Sequence, residues 1–196
     1  MPNWCNNTSV ILSYKKDNEN LKKVYNTISE IIGNGTLELY THLTNLSEEE
    51  VLSGNYDYIR GSLKDVQFDE DNQSITLYWD TAWEPMVEGL QRILKPYGLH
   101  SYTIAEEPGE GVYVNTDETG LYFKDRYVFH AYDAKESVYT SDYFETEAEA
   151  VKFVREYLGR VRGINNFEEA EKAVEKYNDK HENDDSYIVF EEFSLE

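Results

Sequence analysis

The residues with the most reactive side chains stand at the start of the chain, in MPNWCNNTSV, where Pro2, Asn3, Trp4 and the only cysteine, Cys5, follow one another. A thiol becomes a working nucleophile when a histidine, a cation or a helix N-terminus lowers its pKa. The four histidines, His42, His100, His130 and His181, are scattered and none is near Cys5 in sequence. A net charge of -21 favours the protonated thiol. Cys5 therefore reads as a buried structural cysteine. Loss of Met1 would expose the secondary amine of Pro2, but its neighbours Trp4 and Cys5 favour burial, and no other residue supports amine chemistry.

Metal and phosphate chemistry find no better footing. Asp69-Glu70-Asp71-Asn72 and Glu182-Asn183-Asp184-Asp185 are acidic, yet neither has the D-x-D-x-D-G spacing that wraps a calcium ion. There is no Cys/His cluster with zinc spacing, and GEGVYV at 109–114 reads as the start of a strand, not a phosphate cradle at a helix N-terminus. No catalytic residue, metal ligand or cofactor is expected, which points to a protein that acts by binding.

Composition limits what it could bind. The 196 residues are 40% hydrophobic and 14% aromatic, enough to build a core. Lysine and arginine total 18 against 39 aspartates and glutamates, a field that repels phosphate backbones and disfavours direct contact with nucleic acid. Residues 1–60 carry eight acidic and five basic side chains and residues 61–196 carry 31 and 13, so the acidity is expected mostly in the later part. One cysteine makes no internal disulfide, no apolar run approaches the ~18 residues of a spanning helix, and MPNWCNN has no signal-peptide pattern, so a cytoplasmic protein is expected.

The elements that must position these residues follow from periodicity. TSVILSY, 8–14, reads as a strand. Asp17 caps a helix with Leu21, Val24, Tyr25, Ile28, Ile31 and Ile32 on one face, stopped at Gly33-Asn34-Gly35. The stretch 36–63 is irregular apart from a capping box at Ser47 and Glu50. DVQF, 65–68, and SITLYW, 74–79, form a hairpin across the turn 69–72. Pro85 then opens a helix with Val87, Leu90, Ile93, Leu94 and Tyr97 inward, closed by Gly98 and followed by the strand SYTIA, 101–105.

The order β-α-β-β-α-β is that of a ferredoxin-like unit and covers residues 1–110. Residues 111–196 then read as a second, smaller α+β lobe. Strands are expected near 111–115, 120–123 and 126–132, followed by a helix capped by Thr146 and Glu149 that bears Val151, Val154, Tyr157 and Leu158 and ends at Gly159. A helix from Asn166 through Asn178 and a closing strand SYIVFEEF complete it.

Three short motifs carry a resemblance. Pro2-Asn3-Trp4-Cys5-x-Asn7, Thr81-Ala82-Trp83-Glu84-Pro85 and Glu107-Pro108-Gly109 with Gly111, in that order, resemble the YubB-type family of plasmid and phage proteins. The resemblance covers residues 1–115 and implies a ferredoxin-like domain and a mobile-element origin. It brings no catalytic residues, since most of that family has no assigned function. Two departures stand out: GNYDYIRGSLKDV lacks the tryptophans of a further family block, and Met86 replaces a second proline. Trp4 and Cys5 are expected to be tucked against the core, with Trp83 as a packing partner.

Acidity and tyrosines together supply the functional expectation. Seventeen tyrosines, many beside carboxylates as in YTSDYFETE and KYNDKHENDDSYIVFEEF, offer negative charge and rigid contact area. The surface expected to meet a partner includes Asp142, Glu145, Glu147, Glu149, Glu168, Glu171, Glu175, Asp184 and Asp185. The expected partner is a host protein with a basic nucleic-acid-binding groove, which such carboxylates would occupy in place of phosphates, as an inhibitor of a restriction or CRISPR nuclease would. Charge that serves only solubility, an RNA-binding sheet, and a small-ligand pocket at the tryptophan motif stand as alternatives.

Overall fold

A computed structural model describes residues 2–14, 19–54, 57–159 and 163–195, and the chain divides into two compact units, Met1–Asp117 and Glu118–Leu195. Both are mixed α+β with antiparallel sheets. Asp17, the expected helix cap, lies outside the described residues.

The first unit runs β1 (Trp4–Ser13), α1 (Glu19–Glu30), α2 (Thr36–Thr44), α3 (Glu48–Ser53), β2 (Gly61–Asp69), β3 (Ser74–Ala82), α4 (Val87–Leu94), a 3-10 turn at Lys95–Tyr97, β4 (Leu99–Glu107) and β5 (Val112–Asn115). The sheet order is β2-β3-β1-β4-β5, so β1 is central. It pairs with β3 from Trp4↔Ala82 to Leu12↔Ser74 and with β4 from Asn6↔Glu106 to Ser13↔Leu99. The strand at 112–115 pairs with β4, from Ile104↔Asn115 to Glu107↔Val112, and so extends the first sheet past residue 110.

Alternation along β1 decides what is buried. Cys5, Asn7, Ser9 and Ile11 are all buried, and Ile11 packs with Leu77 and Trp79 of β3 against α1, α2 and α4. The α1 face is the expected one, with Leu21, Val24 and Ile28 buried. The irregular stretch contains α2, which buries Leu39, Tyr40 and Leu43, and α3 begins at the expected box: Ser47 accepts from Glu50 N–H while the Glu50 carboxylate accepts from Ser47 N–H. Gly98 closes the 3-10 turn at φ 67, a left-handed conformation that glycine adopts freely.

The second unit runs β6 (Tyr127–Asp133), β7 (Val138–Phe144), α5 (Glu147–Tyr157), α6 (Phe167–His181) and β8 (Tyr187–Glu192), with sheet order β7-β6-β8. Phe129 and Ala131 of β6 and Ile188 and Phe190 of β8 face Ala150, Val151 and Val154 of α5 and Ala170, Ala173 and Val174 of α6. Two expectations are corrected. Residues 120–123 form no strand, and β6 pairs instead with β7, which the sequence pattern did not predict. The fourth expected helix runs on to His181, where His181 Nδ1 meets Asp184. Among the described residues no helix is long and apolar enough to cross a membrane.

Candidate functional site

The three sequence motifs, far apart in the chain, meet at one end of the first sheet. Asn7, buried at the start of β1, directs its side-chain amide Nδ2 to the Cys5 carbonyl (2.9 Å), the Trp79 carbonyl (3.3 Å) and Thr81 Oγ1 (3.0 Å). The Thr81 hydroxyl in turn donates to the Glu84 carbonyl at 2.6 Å, which folds Trp83-Glu84-Pro85 back toward the end of β3. Trp83 N–H donates to the Asn3 carbonyl at 2.9 Å. The buried Glu107 carboxylate accepts the N–H groups of Gly109 (3.0 Å) and Glu110 (2.6 Å), closing the turn after β4. A Cβ on Gly109 would fall 2.6 Å from Asn3 Nδ2, so the third motif abuts the first, and any larger residue there would displace the Asn3 side chain. Pro2 and Pro108 flank these contacts, half-buried and exposed respectively.

The tryptophans depart from expectation. Trp4 is 44% exposed and Trp83 49% exposed, while Cys5 is fully buried. Adjacent strand residues point to opposite faces, so Trp4 and Cys5 cannot share the helix-covered side. Arg60 lies over the Trp4 ring at 5.8 Å, a contact the sequence pattern did not reveal. Trp83 holds φ at 76, costly for a residue with a large side chain, and the Asn3 hydrogen bond keeps it there. A cleft of about 340 Å3 adjoins the segment, lined by Asp57, Ile59 and Glu84 through Gly89.

Burial pushes the Cys5 thiol up to about 12, with the charges of Glu107, Glu106 and Asp80 adding to the effect against a lowering hydrogen bond at Thr81. At neutral pH it is a protonated, inaccessible thiol. A disulfide reagent should label native protein no faster than the chain unfolds, and rapid stoichiometric labelling would contradict this burial.

The nine carboxylates expected to face a partner are spread over the second unit. Glu147 Oε1 accepts Phe167 N–H at 2.9 Å, tying the start of α5 to the start of α6, and Glu149 accepts from the Thr146 hydroxyl at 2.8 Å. Asp184 accepts from Ser186 N–H and lies 3.8 Å from Lys135 Nζ. Glu168, Glu171 and Glu175 are exposed along α6, where Lys172, Lys176 and Lys180 are interspersed and Lys172 pairs with Glu168. Hydrogen bonding from Lys172 holds Glu168 below the usual carboxylate range, and hydrogen bonding from His181 does the same for Asp184. Asp185 is exposed and Asp142 half-buried.

Both units are acidic. Residues 1–117 hold 19 acidic and 8 basic side chains and residues 118–195 hold 19 and 10, because Glu48-Glu49-Glu50, the Asp69–Asp71 turn and Glu106, Glu107 and Glu110 all belong to the first unit. The second unit holds a groove of about 460 Å3 between the end of β7 and α5. Tyr143, Phe144 and Phe153 give it aromatic walls, with the Phe144 and Phe153 rings 5.2 Å apart. Asp125, Glu145, Glu149 and Glu156 line it with carboxylates, with Lys152 4.0 Å from Glu156 and Lys124 Nζ 3.6 Å from Glu145. Glu145 and Glu149 were expected at a binding surface; Tyr143, Phe144, Phe153, Asp125 and Glu156 were not singled out, because the strand that carries the first two shows no clear alternation.

Comparison of the chain with protein-family models, with curated proteins and with solved structures finds no match in any of the three.

Proposed function

We propose that this chain is a non-catalytic binding protein that uses its acidic, tyrosine-bearing second unit to occupy a basic, nucleic-acid-binding surface of a host protein. The observation that carries the reading is the exposure of seven of the nine expected carboxylates, Glu145, Glu147, Glu149, Glu168, Glu171, Glu175 and Asp185. Solvated carboxylates at this density steer a cationic partner and repel nucleic acid itself.

The mobile-element setting comes from the YubB-type resemblance. It draws support from the convergence of its three motifs on Asn3, Asn7, Thr81 and Glu107. A ferredoxin-like assignment for the first unit draws support from the strand order, which read from β4 inward is β4-β1-β3-β2, with β1 and β2 flanking β3 as a split βαβ unit requires. In that setting the partner is a defence nuclease and the protein its cytoplasmic inhibitor.

The test is capture from host lysate on the immobilised chain, followed by elution with duplex DNA and with salt. The expected result is a nucleic-acid-binding protein released by duplex DNA and held at least tenfold less tightly in 300 mM than in 50 mM salt. Capture of nothing, or of a protein indifferent to both eluents, overturns the reading.

A further inference from the structure

Each sheet has two edges, and an unprotected edge is a template for another strand. In the first unit, β2 is interrupted by a register shift between Leu63 and Asp65, with Lys64 exposed at the irregularity, and β5 is only four residues long. In the second unit, Asn178 of α6 acts as a false strand along β8. Its Oδ1 accepts Ile188 N–H and its Nδ2 donates to the Ile188 carbonyl, both at 2.8 Å.

The fourth edge, β7, shows none of these three devices among the described residues. It reads VYTSDYF over seven residues, without proline, glycine or lysine, and keeps an unbroken register with β6 from Val138↔Asp133 to Phe144↔Tyr127. Every residue in it is half or fully exposed, with Val138 and Tyr139 more than half exposed. β-branched and aromatic residues with a single charge make a strand that pairs well. Its last two residues form one wall of the carboxylate-lined groove beside α5.

The geometry points to β7 and this groove as a site of strand addition for an extended, basic segment of a partner protein. The segment's backbone would extend the order β7-β6-β8 by one strand. Its alternate side chains would fall on two faces. Those on the helix side reach the groove, where lysine or arginine stems lie along Phe144 and Phe153 and their charges meet Glu145, Glu149 and Glu156. Charge selects this occupant over a second copy of the chain, since two chains of net charge -21 repel. The inference rests on the proposed binding function and assigns its contact site.

The probe is a blocked nonapeptide of alternating lysine and valine, with a glutamate-valine peptide as control, added to the full chain at 50 mM salt. Amide hydrogen exchange reads the site. The lysine peptide should bind at least tenfold more tightly than the glutamate peptide and slow exchange within residues 138–144. The double substitution E145Q and E156Q, on two exposed side chains, should weaken it about tenfold with the melting temperature unchanged. No binding, or binding with protection elsewhere, such as along α6, overturns the inference. So does protection of β7 that grows with protein concentration alone, which would make a second copy the occupant. A peptide that fails while lysate still yields a partner eluted by duplex DNA removes this site and leaves the proposed function standing.

Discussion

Replacing Trp79 by alanine should lower the stability of the chain by about 3–5 kcal/mol, the cost of deleting a fully buried aromatic side chain from a core that cannot collapse around it. Trp79 is 1% exposed in the middle of β3, packed among Leu77, Ile11 and the apolar faces of α1, α2 and α4. Its Nε1 donates to Ser9 Oγ at 3.1 Å, and that hydroxyl lies 2.8 Å from Thr103 Oγ1, so a polar line crosses β3, β1 and β4 beneath the helices. With total stability of a domain at about 5–15 kcal/mol, the variant should melt roughly 12 °C or more below the parent. Trp4 and Trp83, about half exposed, should each cost less than about 1.5 kcal/mol on the same change. Thermal unfolding of the three variants separates the cases, and equal shifts for all three would contradict this placement of the core.

The contrast among the tryptophans shows where pattern reading works in this chain. α1 was legible because Leu21, Val24 and Ile28 recur at helical spacing, and the starts of α3 and α5 because Ser47 and Thr146 stand three residues ahead of a glutamate. α2 was not, since its N-cap is Gly35 without a side-chain cap and it ends at Asn45 in the left-handed region, not at a glycine. β7 was missed for the reason that makes it notable: both of its faces are partly exposed, so alternation of buried and exposed side chains is weak. Trp4 and Cys5, neighbours in sequence, invited a shared fate that a strand denies them.

The functional surface was legible only in outline. Counting charges found the carboxylates, but their roles depend on neighbours that sequence distance hides. Glu147 is committed to Phe167, twenty residues on, and Glu149 to the cap of its own helix, yet both remain exposed enough to contribute to the field. With carboxylates numerous in both units, selective binding rests on their arrangement more than on their number. Carboxylates with aromatic walls, at the end of an edge strand, would offer an incoming chain backbone pairing, apolar contact and charge in one place, which a uniformly acidic surface would not.

Alkaline conditions should expose the two groups, Cys5 and Tyr40, whose ionisation the core resists. Burial is the main reason the Cys5 thiol rises from 9.0 to about 12, and burial also raises the Tyr40 hydroxyl, with the Asp57 charge adding to it and Arg92 opposing. In both groups the neutral form is the one the fold favours. Below about pH 9 both states of the chain hold the proton and the groups have no influence on stability. Above it the unfolded chain releases the Cys5 proton while the folded chain keeps it, so fewer protons are bound on unfolding and stability falls as pH rises. The loss is about 1.4 kcal/mol per pH unit, or up to ~4 kcal/mol across the window from 9.0 to about 12, with Tyr40 contributing at the upper end. Urea denaturation at several pH values between about 8 and 11 should give a falling stability in the parent and a shallower fall in Cys5→Ala. That variant begins less stable because it leaves a small cavity, so the difference between the two chains should narrow as pH rises. Parallel curves would mean that the Cys5 thiol ionises as readily in the fold as in the open chain, and the burial that makes it a structural residue would have to be given up.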